Sequence, residues 1–341
     1  MILIDALFIN NGGGKVLLDY LIEEIEKKRL KVHYLLDDRI KNTIPEISIC
    51  NKVSFLQGNI FKRHHFYKVH KNDFSKVLCF ANLPPTIRLN TEVYTYFHQL
   101  IYINIPTEFS FLDQVKFRLK RIILKIFAKN TNFWIVQSNL TKNKFGLKFS
   151  FNENLIKVLP FYPHFSSLNV VSIKNKNSYL YVSNANPHKN HTRLINAFCV
   201  FYEKYKIGQL ILTVNKYFPE VLALIDLKQK SGYPIKNIGF VNREELEKEY
   251  QKSEFLIFPS LTESFGLGLI EGIECGCKII AADLPYTYAV CEPSVVFDPL
   301  KEESIFKAFE TSLNYYTNLS TPKINNKINE LINILENSQC N

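Results

Sequence analysis

Short apolar runs alternate along this chain with segments whose apolar residues recur every three or four positions. Strands are predicted at MILIDALFI, KVHYLL, KVLCFA, VYTYF, LIYINI and FWIVQS, with a helix from Lys15 to Lys28 after the first of them. Beyond the proline-bounded segment Pro160 to Pro163 the pattern restarts. Strands at SYLYVSN, QLILTVN, NIGFV, EFLIFPS and CKIIAAD are separated by helices at Leu194 to Tyr205, near Val221, at Arg243 to Ser253 and at Gly268 to Cys275. Strands joined by helices make parallel sheets. The expected architecture is α/β, with two doubly wound Rossmann-like domains at residues 1–163 and 164–320. A terminal segment, 321–341, places Ile324, Ile328, Leu331, Ile332 and Leu335 on one helical face. That face needs a docking surface, and the N-terminal domain is the expected one. A length of 341 residues also exceeds the usual reach of a single hydrophobic core.

Charge divides the chain where the pattern does. Residues 1–163 hold 24 Lys and Arg against 13 Asp and Glu, giving +11; residues 164–341 hold 18 against 19, giving −1. The first half is therefore suited to an anionic neighbour, either a membrane surface or a phosphorylated acceptor, or else it carries a solvated basic surface kept for solubility. Its basic residues form no recognition motif and no aromatic-basic RNA signature, so no nucleic-acid partner is expected. The seven cysteines are scattered, with Cys275 and Cys277 the only close pair; they read as reduced thiols, and no metal site is expected. The N-terminus reads as a strand rather than a signal peptide, and the longest uncharged stretch, Val93 to Thr107, is too short to span a bilayer. A cytoplasmic protein is expected, with peripheral contact on the inner face of the cell membrane left open.

Seven of the 12 glycines fall in two stretches. In Asn10 to Lys15 three consecutive glycines follow a strand and open a helix, so Gly13 and Gly14 could let free N–H groups approach a diphosphate. A plain strand-to-helix turn is the alternative. The second stretch, Phe258 to Asp283, ends a buried strand at Pro259-Ser260, runs through a glycine-bearing loop and starts a helix near Gly268. It brings Glu263 and Glu271, eight residues apart, to the carboxyl edge of a parallel sheet, where ligands of open α/β folds bind. The surroundings of the two carboxylates are nearly free of charge, which argues against simple surface residues.

This second stretch resembles the hallmark of glycosyltransferase family 4, a group of retaining GT-B enzymes: a Glu, seven residues and another Glu within a Pro-Ser…Glu…Phe-Gly-Leu frame. Ser183 to Phe198, which contains Lys189-Asn190, is similar to the family's loop and helix preceding it. Ile238 to Tyr250 is similar to the segment beneath the nucleotide base. The resemblance implies a GT-B fold, with two Rossmann-like domains facing across a cleft, and transfer of a sugar from a nucleotide-diphosphate donor, a UDP- or GDP-sugar, without a prosthetic group. It also implies roles for single residues. Glu271 would accept from ribose hydroxyls, and Glu263 would face the donor sugar as nucleophile or electrostatic group. Backbone N–H groups of Phe265, Gly266 and Leu267 would meet the sugar and phosphate; Phe240 and Val241 would meet the base. Lys189 would neutralise the departing diphosphate. In the first half, Thr95 to His98 is similar to a strand-terminal segment whose His reaches the donor sugar, which would make His98 catalytic; a structural histidine is the alternative. Three departures stand out. Asn184 occupies a donor-site position where the family often has Arg, leaving Arg193 or Arg243 to compensate; Ser264 and Gly272 replace a common Gly and a common Ala.

Enzymes of this resemblance commonly build bacterial surface polysaccharides such as O-antigen, capsule or lipopolysaccharide, so the acceptor is expected to be a glycan or a lipid-diphosphate-linked one. Lys116 to Lys129 carries six basic residues and no acidic one, with Leu119, Ile122, Ile123, Ile126 and Phe127 at helical spacing. Such a helix either lies on an anionic membrane or packs its apolar face inward. The competing functions are a phosphorylase or sugar-nucleotide epimerase on the same fold, and a non-catalytic GT-B partner subunit.

Overall fold

The computed structural model describes residues 1–105, 109–165, 173–314 and 318–337; Cys340 and the last residues of the terminal segment lie outside them. The chain divides into two compact units, Met1–Pro163 with Asn325–Asn341, and His164–Ile324.

The first unit is built on strands β1 (Ile2–Ala6), β2 (Val32–Asp37), β3 (Lys52–Leu56), β4 (Lys76–Cys79), β5 (Glu92–Phe97), β6 (Phe133–Val136) and β7 (Ile156–Val158). They form one parallel sheet in the order β3-β2-β1-β4-β5-β6-β7. Helices α1 (Gly12–Lys27), α2 (Ile60–Val69), α3 (Phe111–Phe127) and α4 (Asn139–Phe149) connect them. β1 and β2 are buried along their whole length, as strands covered on both faces must be.

The second unit holds β8 (Asn175–Tyr181), α5 (His191–Tyr205), β9 (Gln209–Leu212), α6 (Pro219–Lys230), β10 (Ile235–Asn237), α7 (Arg243–Lys252), β11 (Ser253–Phe258), α8 (Leu267–Glu274) and β12 (Lys278–Ala282). It continues with α9 (Pro285–Val290), β13 (Cys291–Glu292), β14 (Val295–Phe297), α10 (Glu302–Ser312) and β15 (Thr321–Pro322). Its parallel sheet runs β10-β9-β8-β11-β12-β14, with β13 and β15 paired antiparallel apart from it. Each unit is thus a doubly wound parallel sheet of the Rossmann-like kind expected from the sequence.

The terminal segment expected from residue 321 divides. Thr321 and Pro322 pair with β13 in the second unit, while α11 (Ile328–Glu336) belongs to the first. Ile328, Leu331, Ile332 and Leu335 are buried there, and the backbone carbonyls of Ile334 and Asn337 accept from the buried Lys76 ammonium.

Two expectations need correction. LIYINI is not a strand: Leu100–Tyr102 forms a 3-10 turn, and the carbonyls of Tyr102 and Ile103 accept from the Arg121 guanidinium instead of a sheet neighbour. The strand expected at NIGFV lies earlier, at β10, because Gly239 takes a left-handed conformation (φ +66°) that leaves the pleat. The three glycines open α1 as expected, and the helix begins at Gly12, ahead of the predicted start at Lys15.

Candidate active site

In the second sheet the strand order reverses between β8 and β11, so the loops leaving their carboxyl ends diverge and open a binding crevice. The β8 loop ends in a 3-10 turn, Pro187–Lys189, followed by Asn190 in a left-handed conformation (φ +63°). The β11 loop is Pro259 to Gly266. Hydrogen bonds stitch the two together. Leu261 N donates to His188 O at 2.8 Å, and the Asn190 amide donates to Pro259 O at 3.2 Å and to Pro299 O at 2.7 Å. The buried Tyr181 hydroxyl donates to Lys189 O at 2.9 Å and lies 3.0 Å from Ser260 Oγ, while Tyr286 OH donates to Ser260 O at 2.7 Å.

This scaffold sets Lys189 Nζ 2.5 Å from Glu263 Oε1, both side chains being largely buried. An ammonium has three donors, so the bond to Glu263 leaves two N–H groups for an anion. Beside them Gly266, at φ +73°, is the N-cap of α8 without a side-chain cap, and the helix has no acidic residue in its first turn. Free N–H groups and the positive end of the helix dipole are thus available to an anionic ligand. The next residue's neighbour along the helix, Gly268, packs closely: a Cβ there would sit 3.2 Å from Tyr250 OH and 3.3 Å from Phe258 Cε2.

Glu271, 5% exposed on the same helix, forms a second group. Its Oε1 accepts from Arg243 Nη1 at 2.8 Å and its Oε2 from Tyr250 OH at 3.1 Å. Arg243 lies over the Phe165 ring, 4.3 Å from its centroid. Burial, with the Glu271 carboxylate second, holds the Tyr250 phenol well above its usual range, so it remains a donor. Each carboxylate oxygen keeps further acceptor capacity for a ligand hydroxyl. Sequence reasoning missed Tyr250 as a partner, although it stands seven residues after Arg243 on α7 and so shares its face.

Of the remaining donor-side residues, Phe265 is buried, Phe240 is 87% exposed and Val241 half-buried in the loop leading to Arg243. Asn184 is exposed and accepts from the Asn186 amide at 2.9 Å. Arg193 donates to the Asn190 side chain at 2.9 Å, supporting the Lys189 turn. Arg243 is committed to Glu271. Gly272 has a packing explanation: a Cβ there would lie 2.8 Å from Leu256 Cδ2 and 3.1 Å from Ile279 Cδ1. The thiol of Cys277 donates to Tyr250 O at 3.1 Å and to Ser253 O at 3.3 Å, and Lys174 donates to Cys275 O; both cysteines brace the backbone behind α8.

In the first unit the order reverses between β1 and β4. There Gly14 and His98 meet: a Cβ on Gly14 would be 3.5 Å from His98 Nε2. Asn82, in a left-handed conformation after β4, accepts from His98 N at 2.7 Å, and its amide lies 3.4 Å from His98 Nε2. Burial pushes the imidazole down to about 4, so it is neutral at physiological pH. Asn82 gave no signal in the sequence beyond following a strand. Asn11, the N-cap of α1, makes no side-chain cap, leaving the N–H groups of the glycine turn open.

Residues 168–316 match the family described as Glycosyl transferases group 1. The matched segment is less than half of the chain. It contains the Lys189–Glu263 and Arg243–Glu271 pairs. The chain is 24% identical over 197 residues to O-antigen chain mannosyltransferase RfbU of Salmonella typhimurium, a match covering 57% of this chain and 54% of that protein. It thus spans about half the length of this curated relative. Among solved structures, sucrose-phosphate synthase from Thermosynechococcus elongatus superimposes with a TM-score of 0.71 at 18% identity, over 92% of this chain and 89% of the other. Anabaena HepE in complex with UDP and glucose superimposes at 0.65 and 13% identity, over 92% and 90%. At these identities the two structures establish the GT-B fold.

Proposed function

We propose that this protein is a retaining glycosyltransferase that moves a sugar from a nucleoside-diphosphate donor, a UDP- or GDP-sugar, to a glycan or lipid-diphosphate-linked acceptor in bacterial surface polysaccharide synthesis. The observation that carries the reading is the convergence of Lys189, Glu263 and the uncapped start of α8 at the strand-order reversal of the second sheet. The complex of HepE with UDP and the mannosyltransferase name of RfbU support a nucleotide-sugar donor and a polysaccharide setting.

In this scheme the bond from the anomeric carbon to the diphosphate oxygen breaks, and its electron pair leaves with the diphosphate. The acceptor hydroxyl oxygen bonds to the same carbon from the same face, and its proton passes to the departing diphosphate. Lys189 and the α8 N–H groups stabilise the negative charge that grows on the leaving group, an interaction strongest in the transition state. Glu263 orients Lys189 and meets the sugar, while Glu271, fixed by Arg243 and Tyr250, accepts from the ribose hydroxyls. Phe240 and Val241 are assigned to the base.

The test is thermal stabilisation by UDP, GDP, ADP and their sugar derivatives, on the wild type and on Glu271→Ala. A ligand at ~100 times its dissociation constant adds ~2.7 kcal/mol. A shift for one nucleotide family that the variant loses supports the reading, and release of that free nucleotide diphosphate during turnover separates a transferase from a phosphorylase. Absence of a shift with every nucleotide would overturn it.

A further inference from the structure

Helix α3 turns an apolar row away from its own unit. Leu112, Leu119, Ile122 and Ile126 are 79%, 56%, 53% and 54% exposed. With Val115, at positions 112, 115, 119, 122 and 126, they follow the alternating three- and four-residue spacing that makes one continuous row along a helix. Packing uses a different side. Leu124 is buried in the cluster formed by Phe97, Trp134, Phe145 and Phe149. Phe117 meets the Tyr102 ring, and Arg121 donates to Tyr102 O at 2.6 Å and to Ile103 O at 3.1 Å. The helix is therefore anchored through Phe117, Arg121 and Leu124, and its Leu119-Ile122-Ile126 row is left over.

Lys116, Arg118, Lys120, Lys125 and Lys129 are exposed around that row. The only carboxylate on the helix, Asp113, is in the first turn, where it accepts from Ser110 Oγ. Apolar side chains held in water beside five cations are matched by a surface that offers hydrocarbon below and negative charge above. Lysine and arginine stems lie along apolar surface while their charged heads reach outward to phosphate. A second copy of this face would instead bring like charges together.

We propose that α3 is an interfacial helix that seats the protein on an anionic lipid bilayer. Leu112, Leu119, Ile122 and Ile126 enter the boundary between headgroups and acyl chains, and the flanking cations bind lipid phosphates. Among the described residues no helix is long and apolar enough to cross a membrane, so the contact is peripheral to the bilayer. The proposal is independent of sugar transfer, because lipid binding needs neither donor nor acceptor.

The experiment is co-sedimentation of the full chain with vesicles of phosphatidylcholine alone or mixed with phosphatidylglycerol, at low and high salt. Binding to the anionic vesicles that weakens with salt is expected, and the double variant Leu119→Ser/Ile122→Ser should lose about tenfold or more in partitioning. Both side chains are exposed, so the variant should keep the wild-type circular dichroism and melting temperature. Equal binding by variant and wild type, or no binding to anionic vesicles, would overturn the proposal. So would dimerisation in lipid-free analytical ultracentrifugation that the variant abolishes, because the row would then be a contact between copies.

Discussion

The two units share a doubly wound parallel sheet but use charge at different depths. In the second unit the ion pairs Lys189–Glu263 and Arg243–Glu271 involve the loops and helix starts where the sheet order reverses. In the first unit the corresponding edge carries neutral groups, Gly14, Asn82 and His98, and the buried charges lie deeper. Asp5 on β1 holds Arg63, whose guanidinium donates to Leu83 O and Pro84 O at 2.7 Å, immediately after Asn82. One sheet thus carries its charged pairs at the edge where ligands of open α/β folds bind, while the other uses its own to brace a neutral surface. A buried pair whose donors and acceptors are satisfied rigidifies the backbone it grips, whereas a pair with donors to spare can share them.

Four experiments would break or sharpen this contrast. Lys189→Ala should lower turnover by about a hundred- to a thousandfold, the range for removing one preorganised charge-stabilising donor, and should cost less stability than breaking the deeper Asp5–Arg63 pair because Glu263 keeps some access to water; initial rates of nucleotide release and a thermal melt check both halves. Arg63→Met should instead act on folding, costing about 3–5 kcal/mol because the Asp5 carboxylate is stranded in the interior. Urea titration measures it, and an unfolding free energy like that of the wild type would mean that Asp5 is not braced by this pair. Gly272→Ala gains about 1 kcal/mol of helix propensity but meets Leu256 and Ile279, so overpacking of about 1–3 kcal/mol should leave a net loss in the same titration.

The smallest effect is a pH dependence. Burial holds His98 down to about 4 and, with Lys189 adding to it, His191 down to about 3, whereas both bind a proton near 6.5 when unfolded. The unfolded chain therefore carries more protons below about 6.5, and stability falls as pH drops. Each histidine should remove about 0.7 kcal/mol between pH 7 and 6. His191→Phe should flatten its share of that slope in urea midpoints taken at the two pH values.

The alternation of apolar runs and helices was legible in the sequence because both sheets are parallel and covered, which makes their central strands almost wholly apolar. β3 and β7 escaped notice: each lies at an edge of the sheet, β3 is half exposed, and β7 has only three residues. LIYINI misled for the opposite reason, since its apolar content serves packing while Arg121 satisfies its carbonyls. At the candidate site, Glu263 and Glu271 stood out from their nearly charge-free surroundings and spacing, and Lys189 from the resemblance of Ser183 to Phe198 to a family loop. Tyr250 as the partner of Glu271, and Asn82 as the partner of His98, could not be found in this way: each depends on which segments the sheet order brings together, and that is a tertiary fact.

The return of α11 to the first unit also imposes an order of assembly. The chain leaves that unit at residue 163 and comes back only after 324, so its sheet emerges from the ribosome long before the helix that covers part of it. During that interval the second unit can fold as an uninterrupted piece, while Lys76 still lacks the carbonyls of Ile334 and Asn337. This late-made segment therefore works as a latch, and a chain cut short before residue 325 would leave the bed for Leu331, Ile332 and Leu335 open to chaperones and proteases.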